Sequence, residues 1–265
     1  MVLGLVLGSG SAAKDIALAK RAEQAGFHSV YCFDFFASNS LVRLGGIAAA
    51  TSTIKIGSAI ANTFTRSPMV LASGALDLDA ISNGRLVLGL GTGLEKMNVE
   101  WYGVPYGKPV TRVKELIALL REVFKTTGVG FNWSGDSWNL NIPAYIREAG
   151  PRDEIPVLLA AVNRGMISAA GQVADGMVGH PVHTRKWHRE VSLPLLYEAE
   201  SAQQREPGAC PIFPQVITSI QQKREDAILD AKRQIGFSFS VEHYHSILDI
   251  HGMREVGQAC RATNR

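Results

Sequence analysis

The chain is poor in the features that would commit it to nucleic acid, a membrane or an oxidising compartment. It has no Lys/Arg-rich run, and its 27 basic and 24 acidic residues leave a net charge of only +3. That balance excludes nucleic acid as the main partner. No apolar stretch approaches the roughly 20 residues that a membrane helix needs. The first residues, Met1 to Gly8, lack a basic lead-in and read as a first strand rather than a signal peptide. Cysteine is scarce: Cys32, Cys210 and Cys260 form an odd count with no Cys-x-x-Cys spacing, so reduced thiols in a cytoplasmic protein are expected. His183, His188, His243, His245 and His251 show no ligand spacing, so no metal site is expected. What the chain does have is apolar content: 46% of its 265 residues are hydrophobic, enough for one large core.

That apolar content is organised as alternating strands and helices. Val2–Gly8 reads as a strand that ends in the small-residue loop Gly8-Ser9-Gly10-Ser11. A helix from Lys14 to Ala25 follows, closed by Gly26. Ser29–Phe33 is a second strand ending at Asp34, with a helix around Val42–Ala50 after it. Ile54–Ile60 is a third strand, and Pro68 opens the next helix in its tolerated first-turn position. Arg85–Leu90 is a fourth strand. Val113, Leu116, Ile117, Leu120, Val123 and Phe124 then recur on one helical face. The turn-rich stretch Gly128–Ile142, with Trp133 and Trp138, reads as a small hairpin; a lid is the alternative. Further strands are expected at Ile155–Ala161, Met177–His180 and Ile212–Ile220, the first two with helices between them and helical sequence resuming near Arg224.

Short apolar strands alternating with helices imply an α/β fold with a parallel sheet. A Rossmann sheet would carry a third glycine after the first strand, which Gly8-Ser9-Gly10 lacks, so a TIM (β/α)8-type barrel is the better reading. One domain over 1–265 is expected, with no eighth strand visible before Arg261-Ala262-Thr263-Asn264-Arg265. The most informative segment is Ile81 to Gly93. Its Asn83-Gly84 turn leads into an apolar strand that ends in Gly89, Gly91 and Gly93, and ligands of such folds bind at the carboxyl ends of strands.

Several segments, in the correct order, resemble the luciferase-like monooxygenase superfamily. They are Ala22–Tyr31, Thr65-Arg66-Ser67-Pro68-Met69 and Ser82-Asn83-Gly84-Arg85 through Gly93. Leu159–Asn163, Ala174-Asp175-Gly176 and Gly179-His180-Pro181 are similar to its branch of coenzyme F420-dependent oxidoreductases. The resemblance implies F420, or alternatively FMN, at the C-terminal mouth of the barrel. It further implies a bulge with a non-prolyl cis peptide at the end of strand three, where Ala59-Ile60 stands here. A small-molecule substrate and a homodimer are expected, with neither nucleic acid nor membrane as a partner.

The candidate residues follow from these positions. Gly91, Thr92, Gly93 and Asn98 are expected to contact the cofactor, with Ala59 and Ile60 behind its ring. Ala161, Val162, Asn163, Arg164 and Gly165 sit where a strand turns into a helix N-terminus, and anions gather there. Asp34 and His180 end strands and are the candidates for orienting or protonating a substrate. Where many relatives place a histidine after the acid, this chain has Phe35-Phe36, which cannot titrate. Phe35, Phe36, Thr63 and Arg66 are the candidate substrate contacts. Three functions compete: F420-dependent hydride transfer, FMN-dependent monooxygenation, and a non-catalytic cofactor-binding paralogue.

Overall fold

A computed structural model describes residues 2–8, 10–148 and 150–263. Ser9 of the first small-residue loop, and Asn264-Arg265 at the end of the chain, lie outside the described residues. The chain divides into two compact units, one of residues 1–160 with 173–175, the other of residues 161–172 with 176–265.

The first unit opens with β1 (Gly4–Leu7), α1 (Ala12–Gln24), β2 (Ser29–Cys32), α2 (Ser40–Ala50), β3 (Lys55–Ser58), β4 (Ala61–Asn62) and α3 (Pro68–Ile81). It continues with β5 (Leu86–Gly91), α4 (Pro109–Lys125), the strands β6 (Val129–Ser134) and β7 (Asn139–Tyr145), and β8 (Val157–Ala160). Its strands run parallel in the order β1-β2-β3-β5-β8, with β4 also pairing β5. The register sets Cys32 beside Leu7 on one side and Ser58 on the other. Strand residues Val30, Ile56, Leu86, Leu88 and Val157 are fully buried, as a sheet covered on both faces requires.

The helices start where side chains can accept from free amides. Ser11, Asn39 and Ser67 cap α1, α2 and α3. The six apolar positions of α4 picked out by their spacing are all buried. Arg85, inside the Asn-Gly-Arg signature, holds the fold together locally. Its guanidinium donates to the carbonyls of Ala48 (3.0 Å), Thr51 (2.9 Å) and Ile54 (2.8 Å), gathering the C-terminal end of α2. Asn83 and Gly84 take positive φ values of 53° and 77°, the conformation the turn signal implies.

The expected hairpin forms as β6 and β7, antiparallel and clamped to α4. Glu115 accepts from Trp133 Nε1 (3.1 Å), the Ser137 amide (2.8 Å) and the Trp138 amide (3.2 Å). Glu115 therefore fastens the hairpin, through the Trp133 indole and two backbone amides of the turn.

In the second unit, α5 (Arg164–Val173) precedes β9 (Gly176–Val178), a short α6 (Arg185–Trp187), a π-helical turn (His188–Ser192) and α7 (Leu193–Ala202). β10 (Ile212–Phe213) lies parallel to β9, and α8 (Arg224–Phe239), α9 (His245–Asp249) and α10 (Arg254–Thr263) follow. Buried Glu200 accepts from the amides of Gly208 (2.8 Å) and Cys210 (2.7 Å), which organises the turn before β10.

Three expected strands need correction. The stretch expected at Ile212–Ile220 is a strand only at Ile212–Phe213, because Pro214 has no amide for a ladder. Met177–His180 is a strand at Gly176–Val178, ahead of the loop around Pro181. The third strand is broken in two, β3 and β4, by the Ala59–Ile60 step. Among the described residues no strand follows Phe213, and no helix is long and apolar enough to cross a membrane.

Candidate functional site

The break in the third strand builds the centre of the first unit's site. The Ala59–Ile60 peptide is cis, as the resemblance implied. Around it, the Ala59 amide donates to the Cys32 carbonyl (2.8 Å), and the Asp34 amide donates to the Ile60 carbonyl (2.8 Å). The chain thus leaves β3, makes its step against the end of β2, and rejoins the sheet beside Leu90 and Gly91.

The strand-end glycines answer to this step. A Cβ on Gly89 would stand 1.9 Å from the Ser58 carbonyl oxygen, and one on Gly91 would meet Ile60 Cγ1 at 2.8 Å. Ser58 Oγ donates to the Gly89 carbonyl (2.7 Å) and accepts from the Gly89 amide (3.0 Å). Gly89 is therefore required by backbone packing, and Gly91 by the close approach of the Ile60 side chain. Gly93 is required by its φ of +61°.

Asp34 is the hub. Its carboxylate accepts from Arg66 Nη1 (2.5 Å) and Nη2 (3.1 Å), from the Ser40 amide (2.8 Å) and from the Asn62 amide (2.8 Å). The two side chains of the ion pair are 7% and 11% exposed. Burial opposes ionisation of Asp34, but the Arg66 guanidinium and the two amides outweigh it, so the carboxyl sits below its ordinary range. A carboxylate held this way orients its neighbours and stays ionised near neutral pH.

Sequence reasoning named Asn98 as a cofactor contact and missed Asn62, Tyr102 and Tyr106, which complete this hub. Asn62 donates through Nδ2 to Asn98 Oδ1 (3.1 Å), and Asn98 Nδ2 donates to the carbonyls of Thr92 (2.8 Å) and Leu94 (2.9 Å). Asn98 is fully buried, so its place is in this network rather than at a ligand-facing surface. Tyr106 donates its hydroxyl to the Gly93 carbonyl (3.1 Å) and stacks on Phe64. Tyr102 follows a π-helical turn at Met97–Trp101; burial, with Asp34 close by, raises its phenol pKa. Only the run of aromatics after Asn98 marked this loop in the sequence.

Among the candidate substrate contacts, Arg66 is committed to Asp34, and Thr63 donates its hydroxyl to the Gly91 carbonyl (3.2 Å) and is buried. Phe35 and Phe36 remain toward the surface, with ring centroids 4.6 Å apart. Ile60 and Thr92 are half-buried, so the strand end presents a shelf on which the buried charges are already paired.

In the second unit, Asn163 caps α5, accepting from the Met166 amide (2.9 Å), while Arg164 and Gly165 are exposed at the same helix start and Ala161 is buried. His180 accepts through Nδ1 from the Val182 amide (3.3 Å) and stacks on Tyr244 at 4.3 Å. Burial, with His243 nearby, pushes its pKa down to about 4, so the ring is neutral with its proton on Nε2.

Residues 4–261 match the family described as luciferase-like monooxygenase. The chain belongs to that family. It is 32% identical over 218 residues to an uncharacterized Mycobacterium tuberculosis protein, covering 79% of this chain and 64% of that relative, so it spans somewhat less than two thirds of the relative's length. It is 28% identical over 243 residues to a 5,10-methylenetetrahydromethanopterin reductase of Methanolobus tindarius, covering 91% and 72% of the two chains. The solved coenzyme F420-dependent tetrahydromethanopterin reductase of Methanopyrus kandleri superposes with a TM-score of 0.80 at 23% identity, covering 97% of this chain and 79% of that one. That likeness bears out the fold class expected from the sequence, α/β of the TIM-barrel type.

Proposed function

We propose that this protein is an F420-dependent oxidoreductase acting on a small organic substrate. The observation that carries the reading is the strand-end hub. Asp34, Arg66, Asn62 and Asn98 satisfy one another behind Ile60, Thr92 and Gly93, leaving a shelf with no unpaired buried charge. A flat neutral ring fits such a surface, because the Asp34–Arg66 pair behind it needs no further counter-charge. Ala59, Ile60, Gly91, Thr92 and Gly93 would hold the deazaflavin ring, and Asn98 would fix the loop that carries them. On the second unit, the free amides at the start of α5, with Arg164, Val162 and Gly165, fit an anionic phosphate.

The cofactor supplies two-electron hydride chemistry when bound; the protein supplies position and shielding. Asp34 stays ionised and orients the loop; it does not give up a proton near neutral pH. Tyr102 keeps its proton over the whole neutral range and can donate a hydrogen bond to a substrate oxygen. His180, neutral, offers Nε2–H in the second unit. The family relationship to F420-dependent reductases supports the cofactor, and a homodimer in the cytoplasm is the expected state.

Side-by-side fluorescence titrations with F420 and FMN test the reading. Saturable binding of F420 in preference to FMN is expected. Preference for FMN would move the protein to the monooxygenase reading. Binding of neither would end both.

A further inference from the structure

Phe35, Phe36 and Trp101 form an aromatic corner at the surface of the first unit. Phe36 is 70% exposed and Trp101 47% exposed, although both are large apolar side chains. The Phe35 and Phe36 rings lie 4.6 Å apart at 45°. Trp101 stands almost perpendicular to both, at 88° and 5.7 Å from Phe35 and at 85° and 6.0 Å from Phe36. Two large rings exposed together against a half-buried third are unlike the single apolar residues scattered over ordinary surfaces.

The corner is built, and both of its walls hang from the same hub. On one side, Phe35 and Ser38 exchange amide–carbonyl hydrogen bonds of 3.0 and 2.9 Å, putting Phe36 and Ala37 at the tip of a tight turn. Ser38 Oγ donates to the Phe33 carbonyl (3.0 Å), and Asp34 takes up the Ser40 amide on the far side of the turn. On the other side, Trp101 closes the π-helical turn Met97–Trp101, whose Asn98 is tied to Asn62, Thr92 and Leu94. π-Helical turns are rare and frequent at functional sites. Neither wall depends on the aromatic contacts for its position; the rings already touch one another, and the open faces of Phe36 and Trp101 are what remains for a ligand.

We propose that this corner is the substrate platform and that it selects flat, uncharged, conjugated rings. A planar ring laid on one wall meets the other edge-on. That pairs the negative face of one π-system with the positive edge of the next, the arrangement aromatic quadrupoles favour. None of the three rings is titratable, and Asp34, the nearest buried acid, is already neutralised by Arg66. A saturated ring of the same size loses the face-to-edge term. That the occupant is the substrate rests on the oxidoreductase reading above; the ring preference rests on the corner alone.

Calorimetric titration of the full chain with 2-naphthol and its saturated counterpart decahydro-2-naphthol tests the inference. Stacking on an aromatic side chain is worth about 1–3 kcal/mol, so 2-naphthol should bind about tenfold or more tighter than the saturated alcohol. Phe36→Leu and Trp101→Leu keep an apolar side chain, remove the π-face and alter exposed positions that cost the fold little. Each should lower 2-naphthol affinity about tenfold and erase the preference, with F420 affinity unchanged within a factor of two. Equal binding of the two alcohols, or unchanged affinity in both variants, would overturn the platform even if F420 binds. 2-Naphthol that displaces F420 would also overturn it, since the corner would then belong to the cofactor. A retained aromatic preference with no F420 binding would refute the cofactor reading and leave the corner as a ring-selective ligand site.

Discussion

Replacing Asp34 by asparagine tests the hub directly. The substitution keeps the shape of the side chain but removes its charge and turns one acceptor oxygen into an NH2 donor. Each oxygen now faces two donors: Oδ1 the Ser40 amide and Arg66 Nη2, Oδ2 the Asn62 amide and Arg66 Nη1. Whichever way the new amide turns, two donors face a donor, and Arg66, 11% exposed, loses its counter-charge. Breaking a buried pair from one side costs about 3–5 kcal/mol. With a urea m-value of about 2–3 kcal/mol/M, the unfolding midpoint should fall by about 1–2.5 M.

The pH profile supplies a second, independent sign. The folded pKa of Asp34 is depressed, so its contribution is complete above the unfolded value of about 3.9 and is lost as pH falls through the folded one. Asp34→Asn should flatten the acid limb of stability in that window. A midpoint within 0.3 M of wild type at pH 7, which is about 1 kcal/mol or less, would refute the structural assignment. If turnover collapsed while stability held, Asp34 would be a proton carrier after all.

Other expectations follow from single contacts. Gly89→Ala forces a methyl against the Ser58 carbonyl at 1.9 Å, a backbone atom that cannot swing away, whereas Gly91→Ala meets the movable Ile60 side chain at 2.8 Å. Thermal unfolding should show the first variant failing to fold or losing more than about 3 kcal/mol and the second losing about 1–3 kcal/mol; equal, small losses would refute the close approach. In the second unit, burial pushes His180 down to about 4 and His183 to about 3, with neighbouring histidines adding to both shifts. Both bind protons more readily when unfolded, so stability should fall as pH drops from about 6.5 toward 4, by up to about 2 kcal/mol for each at pH 5. NMR titration of the two rings checks this, and near-ordinary pKa values would contradict it. Glu115→Ala removes the clamp on the hairpin, so limited proteolysis should cut within 129–145 well before wild type is cut there; an unchanged cleavage pattern would mean the β-ladder holds the hairpin unaided.

Much of the fold was legible because it rests on local chemistry. Strand and helix order, the first-turn proline of α3, the buried face of α4 and the Asn83-Gly84 turn are written in residues within a few positions of one another. A periodic apolar pattern meets the sheet wherever the sheet lies, so it survives translation into three dimensions. Strand lengths did not survive as well. Whether Val216 and Ile220 extend β10 depends on a partner strand, and apolar character alone does not provide one.

The site was legible as a set of strand ends and not as a network. The glycines of β5 marked a crowded strand end, and two of them answer to Ser58 and Ile60, residues about 30 positions earlier in the chain. Asp34 was visible; its locking by Arg66, Asn62 and Ser40, which changes it from a candidate acid into a fixed anion, was not. Nor did the spacing of Phe36 and Trp101 show that they share one corner. Periodicity and turn chemistry act between near neighbours and are set by the order of residues. Pairing, burial and pKa depend on which distant side chains the folded sheet brings within hydrogen-bond reach.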